Sequence, residues 1–136
     1  MDRIYLDNNA TTSVHPEVKE AMLPFLETYW GNPSSLHAFG KAAGKALNEA
    51  RESVGKLIGA DPSELFFTSG GTEADNLAIK GVAYANKSKG NHIITSKIEH
   101  PAVLQTCKHL EKNGFRVSYI STDNEGLLNL KELEKE

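Results

Sequence analysis

Two groups of residues in this chain have side chains and spacings suited to chemistry. The first is Phe67-Thr68-Ser69-Gly70-Gly71-Thr72-Glu73-Ala74, where an apolar run enters a paired-glycine turn and leaves in a helical pattern. Gly70 and Gly71 can adopt positive φ and, lacking Cβ, let a ligand approach their N–H groups closely. The free N–H groups and dipole of a helix opening at Thr72 add a fractional positive charge, so the stretch outlines a phosphate-sized anion site. The competing reading is structural: Thr72 caps its own helix, with Asp75 three residues on. No Gly-Lys-Ser/Thr follows at P-loop spacing and no G-x-G-x-x-G occurs, so a phosphate here would not belong to a nucleotide.

The second group is Glu99-His100, immediately before Pro101. Proline favours the first helical position, which places His100 at a helix start, where the positive dipole end favours a neutral ring. A neutral imidazole can stack on a ligand or act as a base; it can equally be an N-terminal helix residue facing water. In open parallel sheets ligands bind beyond the carboxyl ends of strands. Both groups fall at such ends, so they are expected to share a pocket. His15, His92 and His109 lack H-x-x-x-H or cysteine partners and read as surface groups, which leaves no metal-ligand spacing. Cys107 shares a helical face with Val103 and Leu110 and reads as a small core hydrophobe. Glu73/Asp75 and Glu132/Glu134 fall in or near first helical turns, a sufficient structural reason for those pairs.

The elements that must hold these groups follow from periodicity and breakers. From Leu65 the chain alternates strand, helix, strand, helix, strand at 65–68, 72–86, 92–96, 101–112 and 116–120. That order predicts an α/β fold with parallel strands and crossover helices. Upstream, the turn-forming Asp7-Asn8-Asn9-Ala10-Thr11-Thr12 predicts an arm over residues 1–14. Pro16 opens a helix with the stripe Val18, Met22, Phe25, Leu26 and Tyr29; Pro24 must kink or end it, and Gly31 stops it. Asn32-Pro33-Ser34-Ser35 is turn chemistry before His37, and a long helix follows to Ile58. Phe39, Ala43, Ala46, Ala50, Val54 and Leu57 share one face of it, Gly59 caps it and Asp61-Pro62 blocks continuation. After an Asn124-Glu125-Gly126 turn, Asn129 with Glu132 predicts a capping box opening a helix at Leu130. Glu134 and Glu136 would lie at that short helix's negative pole, so the sequence reads as cut inside a helix.

At 136 residues with 39% hydrophobic content, the chain is sized for one domain with room for a core. A net charge of −3 with interspersed signs gives no basic stripe, which argues against nucleic acid or an anionic membrane as partner. No signal-peptide core follows Met1 and no apolar run approaches a membrane span, so a cytoplasmic protein is expected. The single cysteine excludes an internal disulfide.

Four motifs occur in order: Leu6-Asp7-Asn8-Asn9-Ala10-Thr11-Thr12, Gly31-Asn32-Pro33-Ser34-Ser35-Leu36-His37-Ala38-Phe39-Gly40, the stretch from Phe67 to Gly81, and His92-Ile93-Ile94-Thr95-Ser96-Lys97-Ile98-Glu99-His100. Together they closely resemble the amino-terminal third of the cysteine desulfurases, class-V pyridoxal-phosphate (PLP) enzymes, and the Asn8-Asn9 and Ser34-Ser35 forms resemble the NifS-like branch. The resemblance implies a fold-type I PLP-dependent transferase. Of this the chain would supply an amino-terminal arm (1–14) and the first part of the PLP-binding large domain (15–136), truncated at its carboxyl end. It also implies a homodimer that takes sulfur from L-cysteine, releases alanine and leaves a persulfide on an enzyme cysteine for an iron–sulfur scaffold protein. By match to the family pattern, Gly71 and Thr72 would hold the PLP phosphate, and His100 would stack on the pyridine ring and assist proton transfer. Asn32 and His37 would lie on a substrate-side loop, which also reads as a Pro-Ser turn leading into a helix. The family's Schiff-base lysine, pyridine-nitrogen aspartate, substrate-carboxylate arginine and persulfide cysteine belong to later regions, so the chain alone is expected to be inactive. Lys97 precedes the ring-stacking position and matches no Schiff-base motif. Two other functions compete: another class-V PLP enzyme, such as an aminotransferase or selenocysteine lyase, and a short non-catalytic binding module.

Overall fold

The computed structural model describes residues 3–136; Met1 and Asp2, the start of the expected arm, lie outside the described residues. The chain divides between Phe66 and Phe67 into two compact units.

In the first unit, residues 3–14 are irregular and turn at Asp7, whose carbonyl accepts the Ala10 N–H at 3.1 Å. Pro16 opens helix α1 (Pro16–Glu27), and His15 caps it, Nδ1 accepting the Glu17 N–H at 3.3 Å. Pro24 does not end α1, which continues to Glu27 with Thr28 as its C-cap. A proline withholds only its own N–H, which a helix tolerates close to its end. Gly31 therefore does not cap α1. It is required by packing, since a Cβ there would collide with the Phe39 carbonyl. Helix α2 (Ala38–Ile58) carries the matching surface. A Cβ on Gly40 would collide with the Ser35 carbonyl and stand 2.7 Å from the Asn32 carbonyl oxygen, and one on Gly44 would stand 3.0 Å from that of Pro33. The Asn32–Ser35 loop thus lies directly on the helix backbone, which explains the glycines at both ends of that motif.

Gly40→Ala in the full-length protein is accordingly expected to cost about 1–3 kcal/mol of stability by overpacking, although alanine is the better helix former. Chemical denaturation measures this; an unchanged or raised midpoint would show that the loop gives way freely.

The predicted α2 stripe divides. Ala43, Ala46 and Ala50 line an apolar groove with Phe25, Pro33 and Leu47, and Phe39 stacks on Trp30 at 5.7 Å, but Leu57 is exposed. Gly59 ends α2 at φ 71°, the left-handed cap expected of it. A 3-10 turn follows (Pro62–Glu64), closed by a capping box between Asp61 and Glu64.

The second unit holds helix α3 (Gly71–Ala85), strand β1 (His92–Ser96), helix α4 (Pro101–Lys112), strand β2 (Arg116–Ile120) and the short helix α5 (Leu130–Leu133). The two strands are parallel, in register from His92 opposite Arg116 to Ser96 opposite Ile120, and α4 joins them. Helix α4 packs on α3 and on β2, and Leu110, Ala83 and Phe115 form the core with Ile79 and Ile93 against them. The fold is α/β, but the expected first strand is missing. Leu65 has extended backbone, yet residues 65–68 pair with no other strand among the described residues, and a strand exists only through its ladder. The apolar content is also not gathered into one substantial core. The buried hydrophobic residues described all fall in the second unit, whereas Phe66 is 75% exposed.

The Asn124-Glu125-Gly126 turn forms, with Gly126 at φ 83° and the Asp123 carboxylate accepting the N–H groups of Glu125 and Leu127. The predicted capping box after it is only half made. Asn129 accepts the Glu132 N–H, but the Glu132 carboxylate turns to the N–H and hydroxyl of Ser121, which hold its pKa below the usual carboxylate value. His92 is not a free surface group either. Its Nδ1 accepts from Arg116 at 2.9 Å, and its Nε2 lies 2.9 Å from the Ser118 hydroxyl, which donates to Glu136. No helix described is long and apolar enough to cross a membrane.

Candidate functional site

The glycine turn is built by its neighbours' polar groups. Thr68 donates its hydroxyl to the Gly70 carbonyl at 3.2 Å, and Glu73 reaches back to accept from the Ser69 N–H (2.7 Å) and hydroxyl (2.6 Å). These hydrogen bonds keep the Glu73 carboxylate ionised below its usual pKa. Helix α3 begins at Gly71, one residue earlier than expected, with Gly70 as N-cap and no side chain capping it. Thr72 is thus a first-turn residue and not the cap, so the structural reading in which it caps its own helix fails. Gly70 is extended at φ 164°, and neither it nor Gly71 needs the left-handed region; the positive-φ glycines described are Gly59, Gly114 and Gly126. Instead, a Cβ on Gly70 or Gly71 would point into open space, with nothing within 4 Å. Both are free to be approached from outside.

His100 caps α4. Its Nδ1 accepts the Ala102 N–H at 3.1 Å, and Pro101 restricts its backbone to the extended region observed, φ −55° and ψ 146°. An amide N–H can only donate, so Nδ1 presents its lone pair and the neutral ring carries its proton on Nε2. In this state the ring offers a face and one N–H donor. It cannot accept a proton at Nδ1 without giving up its cap.

Thr72 and His100, singled out separately in the sequence, line one cleft of about 450 Å3 between α3 and α4. Gly71 is adjacent to the cleft through Thr72 but does not line it. Four further residues line it: Asn76, Lys80 and Gln105, which the sequence did not single out, and His109, which it read as a surface group. Their signal was periodic. Thr72, Asn76 and Lys80 are spaced i, i+4, i+8 on α3, as Pro101, Gln105 and His109 are on α4, so each row occupies one helix face. Asn76 also donates to the Thr72 carbonyl at 2.9 Å.

Asn32 and His37 belong to the first unit and do local work there. Asn32 accepts the Ser34 N–H at 2.9 Å, and His37 caps α2 through the Gly40 N–H. Cys107 is 1% exposed; burial above all, then the nearby Glu111 and Glu99 carboxylates, push its thiol pKa up. It behaves as the core hydrophobe expected. Among the described residues no group of His, Cys, Asp or Glu could hold a metal ion.

The donor set suits a phosphorylated aromatic group: an open helix N-terminus, a first-turn hydroxyl and an imidazole face, with no carboxylate lining the cleft. A sequence model of class-V aminotransferases matches residues 4–136. The chain belongs to the class-V aminotransferase family. Within that family it is 55% identical over 132 residues to "Cysteine desulfurase IscS" of Clostridium botulinum (strain Hall), covering 97% of this chain and 33% of that protein. A solved NifS-like protein superposes with TM-score 0.91 at 46% identity, covering 98% of this chain and 37% of its own. A structure described as SspA in complex with cysteine gives TM-score 0.87 at 41% identity, covering 96% and 38%. The chain therefore has the fold of the amino-terminal segment of a fold-type I PLP-dependent transferase. It spans about a third of the length of the curated relatives it matches.

Proposed function

We propose that the protein containing these residues is a PLP-dependent cysteine desulfurase, converting L-cysteine to L-alanine and passing persulfide sulfur to iron–sulfur cluster assembly. The observation that carries this reading is the convergence of Thr72 and His100 on one cleft at two helix N-termini. The relatives' name and a neighbour solved with cysteine favour this activity over another class-V reaction. When bound, PLP supplies the electron sink for chemistry at the amino acid's α-carbon.

The chain's own residues would bind and orient. The Gly71 N–H and the Thr72 N–H and hydroxyl would hold the phosphate at the positive end of α3. His100 would lay its ring against the pyridine and hold a proton at Nε2. Asn32 and His37 enter as substrate-side residues on the family resemblance alone, since both already have local partners. On the same basis we assign residues 1–14 to an arm, residues 15–136 to the PLP-binding large domain, and the whole to a cytoplasmic homodimer that delivers sulfur to a scaffold protein.

Thr72→Val in the full-length protein tests the phosphate site. It removes one charge-assisted hydrogen bond, worth about 1.5–3 kcal/mol, and should weaken PLP affinity roughly ten- to a hundredfold. Titration of the apoenzyme measures it; unchanged affinity would remove Thr72 from the site.

A further inference from the structure

We infer that Ser96 and Glu99 are positioning residues for His100: a hydrogen bond between their side chains closes the loop from β1 to α4 and fixes the angle at which the imidazole meets the cleft. Ser96 is the last residue of β1, 8% exposed and in register with Ile120, and the Lys97 N–H extends the ladder by donating to the Ile120 carbonyl at 3.0 Å. The Ser96 hydroxyl donates to Glu99 Oε1 at 2.7 Å. Only three residues, Lys97, Ile98 and Glu99, separate the strand from His100. The bond therefore ties the residue next to the imidazole back onto a strand that is itself held by its neighbour.

His100 is constrained from the other side by its own cap to the Ala102 N–H and by Pro101. Those two restraints set the ring relative to α4, and the Lys97 N–H pins the strand end, which leaves the freedom of Ile98 and Glu99 between them. The Ser96–Glu99 bond removes that freedom and makes the ring part of the sheet edge. The geometry also gives the bond a specific chemistry. Glu99 is the acceptor, so a neutral amide oxygen can replace its carboxylate, whereas an alanine at either position leaves the partner without its bond.

The importance of His100 rests on the PLP reading above, but the geometry does not, so the test has an arm without cofactor. In the full-length apoenzyme, with histidine nitrogens labelled, the wild type should show His100 as one protonated and one unprotonated nitrogen, widely separated in chemical shift. Ser96→Ala and Glu99→Ala should each shift and broaden the His100 ring resonances as the loop samples more than one orientation, with the Ala102 cap and so the tautomer retained, and Glu99→Gln should leave them as in the wild type. The double variant Ser96→Ala/Glu99→Ala should be no worse than either single one, because both remove the same bond. With PLP added, the two alanine variants should displace the cofactor's absorption band and lower kcat about tenfold with KM for L-cysteine little changed. Glu99→Gln should restore the band. Loss of melting temperature with an unchanged His100 spectrum would reduce the pair to a structural role and overturn the inference. A Glu99→Gln that behaves as Glu99→Ala would also overturn it, since charge and not the hydrogen bond would then be what matters. If the apoenzyme spectra follow the expected pattern but no variant nor wild type binds PLP, the positioning stands and the functional reading fails.

Discussion

Residues 1–136, purified alone and supplied with PLP and L-cysteine, are expected to release neither sulfide nor alanine above the free-PLP background. The reaction needs an amine to hold the cofactor's aldehyde and a thiolate able to reach the substrate sulfur. The one cysteine, Cys107, is 1% exposed on the core side of α4, and its environment pushes the thiol pKa upward, away from the thiolate. Lys80 is the lysine on the cleft, but it lies eight residues down α3 from Thr72, about 12 Å along the axis by the helical rise and away from the open N-terminus. Neither group can replace the missing chemistry. The chain should also self-associate, because Leu57, Phe66 and Phe67 are 84%, 75% and 50% exposed. Light scattering reports the second effect and sulfide and alanine assays the first. Turnover that disappears on Cys107→Ser would make Cys107 the nucleophile and defeat the prediction.

What was legible in the sequence was what local chemistry decides. Pro16 and Pro101 at helix starts, Gly59 and Gly126 at positive φ, and the two strands flanking α4 follow from propensity and turn rules acting within a few residues. The failures occurred where a distant partner decides. Residues 65–68 have a strand's composition but join no ladder among the described residues. Glu132 has the spacing of a capping box but finds the Ser121 N–H and hydroxyl, a better pair of donors than one N–H of Asn129. Gly31 reads as a helix stop, whereas its reason, like that of Gly40 and Gly44, is the backbone of another segment lying on it. The cleft was half legible for the same cause. Thr72 and His100 stand out by type at helix starts, while Asn76, Lys80, Gln105 and His109 become lining residues only once α3 and α4 are packed together. Three histidines, at 15, 37 and 100, turn out to cap helices through Nδ1, a role that no motif announces.

The ring-stacking and proton-transfer role proposed for His100 gives its substitution the larger of the expected site effects. In the full-length enzyme His100→Ala should slow alanine formation about a hundredfold or more, the range of a lost proton-transferring group, and should displace the PLP absorption band. Loss of the cap costs about 0.5–2 kcal/mol, against a total stability of about 5–15 kcal/mol for an ordinary domain, so the variant should remain folded at assay temperature. Circular dichroism checks that. His100→Phe separates the two roles of the ring, because it restores an aromatic face but has no N–H. Since Nδ1 is committed to the Ala102 N–H, Nε2 is the only ring atom that can donate a proton to the cleft. His100→Phe should therefore recover much of the absorption band while leaving the rate near that of His100→Ala. Recovery of both band and rate would reduce His100 to a stacking surface, and a normal band with normal turnover in His100→Ala would leave it only its cap.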